Sequence, residues 1–251
     1  MPPPTVEGAA ASEHSVTGLA MAMDRLAIAL DTDDSVEALR WAREYRDVFG
    51  YAKVGLELFT SEGPGIIYAL RELGYKVFLD LKMHDIPNTV KRAARVVGGY
   101  GVDLLTVHTA GGVPMLRAAV EGLSEGAAAA GVPAEPRVLG VTFLTSDPAV
   151  DEASFVARLD AAAEAGCGGY VCSAAEVEMA KERHPELFAL VPGIRFKGAA
   201  SDDQARVATP EEALEAGADL LVIGRPITSA SDPGAAAAAI AASLRRAKGT
   251  G

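Results

Sequence analysis

The run Asp80-Leu81-Lys82-Met83-His84-Asp85-Ile86-Pro87-Asn88-Thr89 concentrates more reactive chemistry than any other stretch of the chain. It follows Tyr75-Lys76-Val77-Phe78-Leu79, a run with the composition of a strand. Side chains alternate across a strand, so Asp80 and Lys82 are expected on one face. Asp85 comes three residues later, as the chain turns at Ile86-Pro87 ahead of an expected helix. An acid, a base and a second acid would then crowd one strand end. Two carboxylates beside an ammonium favour its charged form. That suits a proton donor and opposes Schiff-base chemistry, which needs a neutral amine. A surface ion pair, common and weak, is the plain alternative.

The elements around the run decide between the two. From Arg25 onward, short β-prone runs alternate with Ala-, Glu- and Arg-rich stretches of helical character. Strands are expected over 26–31, 51–56, 76–81, 104–108, 138–143, 169–172, 188–191 and 220–224. Helices are expected over 34–48, 62–73, 89–98, 114–130, 152–165, 174–183, 210–216 and 232–246. Repeated βαβ units on a chain of 251 residues close most simply into a (β/α)8, or TIM, barrel, an α/β fold of typically ~250 residues. A doubly wound open sheet is the alternative. It is weakened because no Gly-rich dinucleotide fingerprint follows the first strand.

Barrel enzymes carry their chemistry at the C-terminal strand ends. In this chain those ends hold Asp31, Lys53 within strand two, Asp80 and Lys82 with Asp85 just beyond, His108, Thr142 and Thr145, and Gly224-Arg225. Such consistent placement makes the surface ion pair the weaker reading. Backbone N–H groups at a glycine turn, followed by arginine, suit a phosphate, and the loops after strands seven and eight are its frequent barrel site. The stretch after strand seven, residues 192–204, is long and polar and carries Arg195, Lys197 and Gln204. It is expected to be a closing lid on the same phosphate.

Bulk properties narrow the field further. A net charge of −11 argues against broad attraction to nucleic acid or to anionic membrane, though not against a small anion in a local basic pocket. Cys167 and Cys172 lack the number and spacing of a zinc site and are expected to be free buried thiols. Residues 1–23, with Pro2-Pro3-Pro4 and many small residues, are expected to be a disordered tail ahead of one barrel domain over 24–248. Met21 or Met23 could serve as the start. No Lys or Arg precedes Arg25 and apolar runs are short, so neither a signal peptide nor a membrane span is expected. A cytoplasmic location follows as an expectation.

Taken together, the motifs resemble the orotidine 5′-phosphate decarboxylase family, in its bacterial branch. The resemblance rests on Leu26–Asp31, Lys53–Phe59, Asp80–Thr89, Val141–Ser146, Val171–Ala174, Pro192–Arg195 and Val222–Thr228, in family order over residues 25–246. It implies cofactor-independent decarboxylation of orotidine 5′-monophosphate to UMP in pyrimidine biosynthesis, with no metal. By that resemblance Lys82 donates the proton to the carbon that loses carboxylate, and Asp80 lies against the departing group. Lys53 and Asp85 complete an alternating charge network. Asp31 contacts ribose and Lys53, and Thr145 lies beside the base. Arg195, Gln204, Gly224 and Arg225 bind phosphate, and Ile86 and Pro87 also belong to the substrate site. Asp85 and Thr89 would reach in from the second subunit of a homodimer, and His108 would be supporting.

Two other readings compete. Sugar-phosphate decarboxylases and hexulose-phosphate synthases with the same Asp-x-Lys-x-x-Asp core work on magnesium, with a glutamate where this chain has Lys53; an ammonium there would repel the ion. A barrel that only senses a nucleotide would have little reason to keep Lys53, Asp80, Lys82 and Asp85 together.

Overall fold

Strands buried on both faces read as continuous apolar runs, and Leu26-Ala27-Ile28-Ala29 is such a run, with all four residues buried. The computed structural model describes residues 23–133, 135–147, 150–195, 206–230, 232, 234–237 and 239–240. Eight strands close into a barrel in sequence order, and every neighbouring pair is parallel. They are β1 (Leu26–Ala29), β2 (Tyr51–Gly55), β3 (Lys76–Met83), β4 (Leu104–His108), β5 (Arg137–Val141), β6 (Gly169–Val171), β7 (Phe188–Val191) and β8 (Leu220–Ile223). The helices are α1 (Ser35–Tyr45), α2 (Leu56–Glu62), α3 (Gly65–Glu72), α4 (Pro87–Gly99), α5 (Gly112–Ala129), α6 (Glu152–Glu164), α7 (Ala174–Arg183), α8 (Pro210–Glu215) and the short α9 (Arg225–Thr228).

Local signals start several of these helices where the sequence leads one to expect. The Asp34 carboxylate accepts from the N–H groups of Val36 and Glu37, and that of Asp151 accepts from Ser154. Thr209 and Glu212 form a reciprocal capping box around Pro210. The helix expected over 62–73 is α3, which begins only at Gly65, and α2 over Leu56–Glu62 was not expected. Gly63 sits at φ 63° and ends α2, and Pro64, which has no N–H, leads into α3. The expected last helix is described only at 234–237 and 239–240, and the expected tail lies outside the described residues except for Met23.

Alternation divides the strand residues between two cores. Leu105, Val107, Ile28, Val54 and Leu79 face the helices. Ala27, Phe78, Leu104, Leu139, Leu190 and Leu220 fill the barrel axis. The inward phase continues upward through Lys53, Asp80 and Thr106, so the strand period that plugs the barrel with hydrocarbon also aims its polar side chains into the mouth. Both cysteines are free and buried, and desolvation pushes the Cys167 thiol up to about 12. Among the described residues no helix is long and apolar enough to cross a membrane.

Candidate active site

Lys53 projects from the middle of β2 and is 9% exposed. Its Nζ donates to Asp31 Oδ1 at 2.7 Å. Gly55 leaves room for this pair, since a Cβ there would stand 3.3 Å from Lys53 Nζ and 3.4 Å from Asp31 Oδ1. Asp80 lies opposite Gly55 in the β2–β3 register, and its Oδ2 accepts from Lys82 Nζ at 2.7 Å. The charges therefore alternate along the mouth: Asp31, Lys53, Asp80, Lys82.

Desolvation alone would raise the Asp80 pKa. Lys53, then Lys82, then hydrogen bonds from Lys82 and Thr106 overrule it, and the group is held below the usual carboxylate value. Asp80 is an anion at neutral pH although its side chain is only 12% exposed.

Asp80 and Lys82 do share a face, but not through regular alternation. The register runs from Leu79↔Leu105 to Met83↔Val107, so Asp80, Leu81 and Lys82 together oppose Thr106. Strand three bulges there and extends two residues past the expected end. Lys82 takes φ 46°, alone in the left-handed region among the described non-glycine residues.

Asp85, the expected third member of the acid–base–acid group, does not line the cavity of its own chain. In this chain it is exposed, and its Oδ1 accepts from the N–H of Ile86 at 2.6 Å. The chain leaves the mouth after Met83 and turns outward into α4. Ile86, Pro87 and Thr89 are likewise exposed on that turn and first helical residues, outside the lining of the cavity.

That cavity occupies about 570 Å³, a size suited to a small ligand. Asp31, Lys53, Asp80 and Lys82 line it together with Thr145, Arg195, Gly224 and Arg225. Arg195 is buried and Arg225 exposed. Gln204 and Lys197 lie outside the described residues, so the expected lid is described only at 192–195. Thr142 is not a lining residue: it is buried, and its hydroxyl donates to the Val171 carbonyl at 2.8 Å. His108 stacks on His84 at 5.6 Å between centroids and accepts from the Ala110 N–H, beside the cavity. Burial, then Arg158 and His84, lower its pKa.

Sequence reasoning passed over Thr106, which touches both Asp80 and Lys82. Its signal was available: it holds the inward position of β4, two residues after the core residue Leu104 and two before His108. Among the described residues no three His, Cys, Asp or Glu side chains converge on a point that could hold a metal, and the lining acids Asp31 and Asp80 are each paired with an ammonium.

Comparison with known proteins gives a consistent picture. Residues 24–240 match the sequence model of a family described as "Orotidine 5'-phosphate decarboxylase / HUMPS family". A protein of Anaeromyxobacter sp. (strain K) named orotidine 5′-phosphate decarboxylase is 48% identical over 232 residues, covering 88% of this chain and 98% of the relative. One of Thermobifida fusca with the same name is 48% identical over 235 residues, covering 88% and 96%. Among solved structures, the orotidine 5′-phosphate decarboxylase of Lactobacillus acidophilus superposes with a TM-score of 0.72 at 36% identity, covering 88% of this chain and 99% of that one.

Proposed function

The chain belongs to the orotidine 5′-phosphate decarboxylase / HUMPS family, and on that premise we propose that it converts orotidine 5′-monophosphate to UMP and carbon dioxide. The observation that carries the reading is the alternating row Asp31–Lys53–Asp80–Lys82, with both ion pairs at 2.7 Å. Cleavage of the carbon–carboxylate bond leaves its electron pair on an sp² ring carbon. No adjacent carbonyl can take that charge up. A fixed ammonium can stabilise it, and here the acids hold the ammonium in place before substrate arrives. Lys82 then gives its proton to the carbon, and the amine left behind recovers one from solvent. Asp80 faces the leaving carboxylate, so repulsion in the ground state is relieved as neutral carbon dioxide departs. No step requires a cofactor.

Arg195, Gly224 and Arg225 would hold the phosphate, together with Gln204. Thr145 would lie beside the base and Asp31 on the ribose. The phosphate lies away from the reacting carbon, so its binding energy can be used to organise the mouth. Exposed Asp85 and Thr89, with Ile86 and Pro87, would complete the site across a homodimer interface. A cytoplasmic location goes with an enzyme acting on a soluble nucleotide.

The family description also covers hexulose-phosphate synthases. The Lys53 ammonium between Asp31 and Asp80 opposes a magnesium ion at that place, which supports the decarboxylase. An absorbance assay of orotidine 5′-monophosphate with chelator present decides the matter. Turnover should be unaffected by chelation, and Lys82→Ala should lower kcat by at least about 10³-fold. Dependence on magnesium, or an active Lys82→Ala protein, would overturn the assignment.

A further inference from the structure

The bulge in β3 makes a demand that a regular sheet does not. Three residues, Asp80, Leu81 and Lys82, stand opposite one, so the ladder cannot supply each with a backbone partner. The residue opposite is Thr106, with no exposed surface. Its Oγ1 accepts from the backbone N–H of Lys82 at 2.9 Å. The same Oγ1 donates to Asp80 Oδ1 at 2.8 Å. A hydroxyl has one proton to give and lone pairs to accept with, and both are used here. Oδ2 of Asp80 is left for Lys82 Nζ.

We infer that Thr106 is the positioning residue of this site: one hydroxyl fixes the backbone of the proton donor and the orientation of the neighbouring carboxylate. The inference rests on the proposed decarboxylase reading, in which Asp80 and Lys82 perform the chemistry. Two features make the role specific to the hydroxyl. First, Lys82 is held at φ 46°, a conformation that an L-residue keeps only where surroundings enforce it, and the bond from its N–H is one such restraint. Second, a carboxylate oxygen locked by a neutral donor cannot rotate away when a second anion, the substrate carboxylate, is brought against it. Freed from the hydroxyl, Asp80 could turn its charge aside, and Lys82 Nζ would follow. Thr106 touches no substrate in this account. It acts through the two residues it binds.

The test uses Thr106→Val, which keeps the shape and removes the hydroxyl, and Thr106→Ser, which keeps the hydroxyl and removes the methyl. Wild-type protein and Lys82→Ala are run first in the same assay, so the decarboxylase reading stands or falls separately. A wild-type chain that leaves orotidine 5′-monophosphate untouched removes both ideas. Given wild-type turnover lost in Lys82→Ala, Thr106→Val should lower kcat by about 10- to 100-fold, the usual effect of losing hydrogen bonds to a charged group. KM should change little, because phosphate and base contacts are intact. The acid limb of the kcat profile should move to higher pH, because Asp80 loses a donor that favours its anion. Thr106→Ser should stay within a few-fold of wild type with the wild-type pH profile. If Thr106→Val does not fold, Thr106→Ala replaces it, and the comparison with serine reads the same quantity. A valine variant with wild-type kcat and pH profile would overturn the inference, as would a serine variant as impaired as valine, which would assign the loss to packing.

Discussion

Asp80 is a carboxylate with most of its hydration removed that nevertheless remains ionised. Burial opposes the charge, and the two flanking ammoniums with the Thr106 hydroxyl restore it. The sign of the consequence for stability is definite. The folded-state pKa lies below the unfolded value of about 3.9, so the stabilisation is complete above that value and is lost as pH falls through the folded one. Asp80→Asn removes the carboxylate that pairs with Lys82 and leaves Lys53 paired with Asp31. It should cost about 1–2 kcal/mol in chemical denaturation at pH 7, less than for a fully buried pair because the Lys82 side chain is partly exposed. The cost should shrink as pH falls from 7 through the folded-state pKa. A difference that stays constant on acidification would mean that the charge of Asp80 contributes nothing to the fold.

Between elements, the most extensive helix–helix contact joins α4 to α5, and glycines make it possible. A Cβ on Gly122 would run into the Lys91 carbonyl oxygen, one on Gly126 into that of Arg95, and one on Gly98 into that of Leu123. Gly126→Ala should therefore cost about 1–3 kcal/mol in chemical denaturation. Gly99→Ala, where a Cβ meets nothing within 4 Å, should be neutral or slightly stabilising. Equal effects would remove the packing argument. Element positions were legible in the sequence because most strands are short apolar runs and several helices begin at a cap such as Asp34, Asp151 or Thr209. The β3 bulge was not: strand alternation alone puts Asp80 and Lys82 on one face. Only the register against β4 reveals that three residues there oppose one, and that Thr106 serves both. The start of α3 at Gly65 was marked by Gly63-Pro64, whose punctuation the helical pattern after it obscured, and α2 over 56–62 was not read at all.

At the scale of the molecule, a chain of net charge −11 gathers Lys53, Lys82, Arg195 and Arg225 around one cavity. The overall field repels an anion while the local one attracts it, so capture depends on short-range contacts more than on long-range steering. The exposed Asp85 and Thr89 are the residues through which the proposed homodimer would matter chemically. Mixing tests it. Lys82→Ala chains and Asp85→Ala chains, each nearly inactive alone, should regain activity after co-refolding. Mixed dimers then contain one site with both native residues, and random pairing sets the recovery at about a quarter of wild type. No recovery would place Asp85 in the site of its own chain or in none.

The left-handed backbone at Lys82 has a bearing on how such a barrel could be altered. Among side chains only glycine accepts that conformation at no steric cost, so with the amine already gone a glycine there should be better tolerated than an alanine. A campaign that selects variants for heat tolerance alone has no means of seeing what the lysine is for. At this one position it would drift toward sturdier chains that no longer turn over substrate, and only a screen for turnover would keep them out.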